Sequence, residues 1–111
     1  MSEHFDVLYK SPEELKETLK KEEEAEGVLR EKMAALCHEQ WSNWMKYLLN
    51  LCRHDELGAA IIPTGLVDRW ARQMRTPYTA LSDKEKESDR AEADRFLKLL
   101  DDFFKEHFKD K

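Results

Sequence analysis

The sequence predicts a small all-α protein of three to four helices. Apolar residues recur at spacings of three and four over two long stretches, 28–52 and 83–108. Two Ser-x-x-Glu capping boxes, Ser11–Glu14 and Ser82–Glu85, mark helix starts. Only three glycines and three prolines occur in 111 residues, too few for a loop-rich all-β fold.

The elements follow in chain order. Residues 1–10 show only the alternation of Phe5, Val7 and Tyr9, which reads as an arm. Ser11-Pro12-Glu13-Glu14 starts a charged helix over 12–26, with Leu15 and Leu19 as its main apolar points. Gly27 marks a hinge or a tolerated residue before a helix over 28–52, whose apolar face carries Leu29, Met33, Leu36, Trp44, Tyr47, Leu48 and Leu51. A polar turn ends in Gly58, and Ala59–Ile62 forms a short apolar link. Thr64 is the expected N-cap of a short helix over 65–75, which Thr76-Pro77 stops. The last helix spans 83–108, and its apolar face covers about half the circumference, wider than the ~100° a surface helix needs.

Composition removes several function classes. Charged residues make up 39% of the chain, the mean hydropathy is −0.82, and no apolar run approaches the ~20 residues of a membrane span. The first residues lack the apolar stretch of a secretion signal, so a soluble, cytoplasmic protein is expected. The net charge of −5 is concentrated: residues 13–26 hold seven glutamates and three lysines, a sum of −4. A general nucleic-acid binder needs a positive field, which this chain lacks.

Few residues suggest chemistry. Cys37-His38 and Cys52-x-His54 lack the ligand spacing of structural zinc sites, and no P-loop, nucleophile elbow or H-E-x-x-H occurs. No metal, no cofactor and no enzymatic activity are expected. Arg69, Arg72 and Arg75 run along one side of the short helix; they suit phosphate or carboxylate recognition, or pairing with the surplus glutamates. Trp44 and Trp70 read as packing residues, whereas Trp41 lies at the edge of its apolar face.

The stretch Pro77-Tyr78, then Leu81, Glu85-Lys86, Asp89-Arg90, Ala93 and Leu97-Lys98-Leu99-Leu100 resembles the signature of the ryanodine-receptor-type repeat domain, the RyR domain. His38-Glu39-Gln40-Trp41 is similar to the family's H-x-x-W. The resemblance covers about residues 36–101, which makes 28–111 an RyR-like helical domain and 1–27 an N-terminal arm with a charged helix. The family's aromatic, glycine-rich stretch after the tryptophan helix is missing, and the short arginine helix replaces a shorter family linker.

The resemblance implies a stand-alone bacterial or phage form that binds a nucleotide-derived ligand in phage–host conflict or signalling. The first expectation is therefore a non-catalytic binding module for a small anionic or nucleotide-like molecule. Arg72, Tyr78, Lys86 and Arg90 would supply donors, with Trp41 as a stacking platform. The alternative is a homo-oligomeric or partner-binding accessory protein of a phage or mobile element, with no small ligand. The wide apolar face of the last helix predicts a homodimer with Phe104 and Phe108 near its interface. Phe5, Val7, Leu15 and Leu19 are the rival cover for that surface.

Overall fold

A computed structural model describes residues 11–108, so the expected arm with Phe5, Val7 and Tyr9 lies outside the described residues. The chain is mainly helical. Helix α1 spans Pro12–Leu51, a two-residue hairpin pairs β1 (Arg53–His54) with β2 (Ala60–Ile61), and α2 spans Thr64–Arg75. A 3₁₀ turn at Tyr78–Ala80 leads into α3, Asp83–Phe108.

Both capping boxes form. The Glu14 amide donates to Ser11 Oγ at 3.1 Å, and the Ser11 amide donates to the Glu14 carboxylate at 3.4 Å. Ser82 and Glu85 repeat the exchange, each amide donating across 3.2 Å. Pro12 sits in the first turn of α1, where a missing N–H leaves no bond unmade.

Two local expectations are corrected. The separate helices over 12–26 and 28–52 are one 40-residue helix that runs through Gly27 without a break. A glycine inside a helix costs about 0.5–1 kcal/mol relative to alanine, which lowers helix stability without ending the helix. Thr64 is the first residue of α2 rather than its cap; Pro63 holds the N-cap position, with no side-chain cap. Pro63 instead accepts, through its carbonyl, from the amides of Leu66 and Val67.

The link between α1 and α2 is a hairpin closed by one side chain. The Asp55 carboxylate accepts from the amides of Leu57 and Ala59, both at 2.9 Å, while Gly58 takes φ 88°. That dihedral is in the left-handed region, open to glycine and unfavourable for a residue with a Cβ.

Helices α1 and α3 lie antiparallel. The Gln40 side-chain amide donates to the Glu92 carbonyl at 3.3 Å, and Arg95 pairs with Glu39 at 3.2 Å. The register continues along the pair: Leu36 lies across from Leu99 and Phe103, and Ala25 across from Phe108. Residues 12–24 of α1 therefore project past the described end of α3. At the other end α2 is fixed by Trp70, whose ring meets Trp44 edge-on at 5.4 Å, and by Arg72, which pairs with Glu85 at 2.6 Å.

The two sides of this helix pair differ. One groove has Ala35, Leu36, Leu99 and Phe103 in its lining, rimmed by the balanced charges of Lys32, Glu39, Arg95, Lys98, Asp102 and Glu106. In antiparallel right-handed helices, steps of ~100° in the opposite sense bring both helices round to the other side of the seam. There α1 carries Met33, Cys37 and Trp44, and α3 carries Ala93, Leu97, Leu100 and Phe104. Leu97 and Phe104 are 63% and 51% exposed.

Gly27 tests the continuity of α1. A Cβ built there meets nothing within 4 Å. Gly27→Ala should therefore stabilise the chain by about 0.5–1 kcal/mol in urea denaturation. A destabilised variant would mean that residue 27 is not plain helix. Ser82→Ala should cost about 0.5–2 kcal/mol in the same assay, as loss of an N-cap does.

Candidate functional site

The residues expected to gather a ligand divide into two groups. Tyr78 stands in the 3₁₀ turn immediately before α3, and Lys86 and Arg90 lie on the first two turns of that helix. A spacing of four places both cations on one side. The Lys86 ammonium sits 5.8 Å from the centre of the Tyr78 ring, a cation–π contact. Arg90 has its pKa raised, first by its hydrogen bond to Glu87 and then by the nearby Tyr78. Lys86 thus sits over the Tyr78 ring, with Arg90 one turn further along α3.

Arg72 and Trp41 do not join them as free groups. Arg72 donates to the Glu85 carboxylate at 2.6 Å, and Ser82 Oγ donates to the other Glu85 oxygen at 3.0 Å. The glutamate is thereby shared between the cap of α3 and the arginine of α2. Its pKa is lowered, with the Arg72 hydrogen bond as the largest cause. Trp41 stacks on His38 of its own helix, with ring centres 6.0 Å apart, and the described residues give it no other ring partner. It lies one residue beyond Gln40, which faces α3, so its ring is turned about 100° away from the seam.

Pairing with glutamates, one of the two readings of the short-helix arginines, is met at Arg72, although the sequence singled out neither Glu85 nor Glu87 as the acid. Glu85 holds Arg72, and Glu87 holds Arg90 at 3.1 Å. On a chain with 24 acidic residues, an acid near an arginine carries little information by itself. The usable signal was position: Glu85 is the third residue after the Ser82 cap, which ties its carboxylate to the start of α3 beside α2.

The uncovered apolar surface expected of the last helix extends to α1 and α2 as well. Phe103 is the one buried hydrophobic residue among those described. Trp44, Tyr47, Val67, Met74, Leu97 and Phe104 all remain at least 45% exposed. Leu15 and Leu19, on the projecting part of α1, are 38% and 58% exposed. A set of this size exceeds the scattered apolar residues normal on a surface.

Among the described residues, no group of three or more His, Cys, Asp or Glu is placed to hold a metal ion, and no helix is long and apolar enough to cross a membrane. Cys37 is exposed and Cys52 half-buried, both as free thiols. Comparison with family models, curated proteins and solved structures gives no match.

The Arg72–Glu85 tie has a definite pH signature. Because the folded-state pKa of Glu85 is depressed, its contribution is complete above the ordinary glutamate value and is lost as pH falls through the lower folded value. Carboxyl-carbon NMR should find Glu85 titrating below the chain's unpaired glutamates. Arg72→Ala should move it upward, whereas an unmoved titration would show that the pair does not form in solution.

Proposed function

We propose that this chain is a non-catalytic protein-assembly module, whose two-helix face is completed by another polypeptide. The observation that carries this reading is the thin core among the described residues: one buried hydrophobic residue against a large set of exposed aromatic and aliphatic ones. An α1–α3 pair shares a single seam, and each helix has an apolar arc wider than that seam covers. Large apolar patches on a soluble protein mark interaction surfaces. Charged side chains rim the groove on the opposite side, whereas Leu97 and Phe104 stand exposed on this one, which suits it to docking. An accessory role in a phage or mobile element would use the module in this way.

A second reading has one specific observation behind it. Tyr78, Lys86 and Arg90 meet at the start of α3, where free backbone amides also favour an anion. A phosphate-bearing, nucleotide-like ligand would have to compete with Glu87 for Arg90 and with Glu85 for Arg72. Assembly meets no such competition, which ranks it first.

Binding of an apolar fluorescent dye tests the assembly reading. Diluted until monomeric, the chain should bind the dye, and Leu97→Lys should reduce the signal. A monomer that leaves the dye dark would show that the chain covers its own face and would overturn the reading. Thermal-shift measurement with nucleotides and inorganic phosphate tests the second reading. Stabilisation that vanishes in Lys86→Ala/Arg90→Ala would support it, and no shift at millimolar ligand would remove it.

A further inference from the structure

Resting on the assembly reading, we infer that the occupant of the apolar face is a second copy of this chain, laid face to face about a two-fold axis that crosses the helices at right angles. The α1–α3 pairs of the two copies then form an antiparallel four-helix layer pair. The projecting acidic part of each α1 reaches the arginine-bearing α2 of the other copy.

Surface area gives the first argument. The chain exposes 9577 Å². A compact monomer of its mass exposes about 6,400 Å². Recovering half of the excess on each of two chains buries about 3,000 Å² in total, within the range of obligate homodimers. The shape agrees: the radius of gyration is 22.2 Å, against about 13 Å for a compact chain of this length.

The placement of α2 selects the axis. Trp70 seats α2 on Trp44, on the apolar side and at the closed end of the helix pair. An axis parallel to the helices would bring the two copies of α2 to the same end, where they would collide. An axis across the helices sends them to opposite ends. Full overlap of α1 with its reversed copy then places Leu19 opposite Trp44, under the partner's α2. The Glu39–Arg95 register puts Phe103 and Phe104 of α3 beside the same midpoint, so Phe104 meets its own copy near the axis.

The surfaces brought together in this way match. Leu15 and Leu19 stand exposed near the N-terminal end of α1, and α2 leaves Val67 and Met74 46% and 81% exposed. The charges are opposite: residues 13–26 sum to −4, whereas Asp68 with Arg69, Arg72 and Arg75 gives α2 a sum of +2. Among the described residues Glu22, Glu23, Glu24, Glu26, Arg69 and Arg75 take part in no ion pair. Like ends repel and opposite ends attract, which favours the antiparallel arrangement over the parallel one.

Sedimentation equilibrium of the full chain at micromolar concentration is the test. The expected species has twice the 13.2 kDa chain mass. Phe104→Asp should convert it to single chains that keep their helical circular dichroism. Glu23→Lys/Glu26→Lys should weaken association by about tenfold, an effect expected of two or more rim charge pairs. Adding Arg69→Glu/Arg75→Glu to that variant should restore association, a rescue that does not depend on altering the apolar face. A species of single-chain mass at every concentration overturns the second copy. If that monomer binds apolar dye, the face is open and the assembly reading stands; if it does not, both fall. A dimer indifferent to the charge reversals overturns the crossed antiparallel arrangement.

Discussion

The antiparallel seam between α1 and α3 is the contact on which the rest of the molecule depends. It sets the register through Gln40–Glu92 and Glu39–Arg95, and it buries Phe103. It also separates a groove rimmed by charged side chains from the side that carries Leu97 and Phe104. Two helices can close one seam, but they cannot enclose a core. Each must leave the remainder of its apolar arc to something else. Here α2 covers a small part at the Trp44 end, and the rest of the arc is left exposed.

The same constraint ranks the possible functions. A ligand site requires cations held ready and a concave wall around them. The arginines nearest the turn before α3 are instead tied to Glu85 and Glu87, and those ties brace α2 and the start of α3. The aromatic residues are distributed along the length of the molecule rather than gathered around Tyr78. An extended face, with opposite charges toward its two ends, is the geometry on which the assembly proposal rests.

Much of the fold was legible in the sequence, because capping and periodicity are local. Ser11–Glu14 and Ser82–Glu85 announced both long helices, and the last helix spans 83–108 as its pattern implied. The continuity of α1 was not legible, since a glycine lowers helix stability without saying whether neighbouring turns carry the helix across it. The Arg53–Ile61 hairpin showed only its Gly58 turn, because strands of two residues have no period to detect. Of the expected site, Lys86 and Arg90 were legible from spacing along one helix, whereas Tyr78 came from the resemblance to the RyR signature. The Arg72–Glu85 pair required the packing of α2 against α3, and the placing of Trp41 required the facing of α1. The half-circumference apolar face of α3 was visible in the sequence, but the projection of residues 12–24 beyond it depends on the helix register.

Small-angle X-ray scattering of the purified chain tests the central claim most directly, because it reports mass and shape together. An apolar face closed by a second copy predicts a particle of two-chain mass whose length stays near the 68 Å of one chain, since the copies overlap along their helices. A particle of one-chain mass with a radius of gyration near the ~13 Å of a compact 111-residue fold would contradict it. That result would mean that the chain folds back to cover its own face and needs no partner.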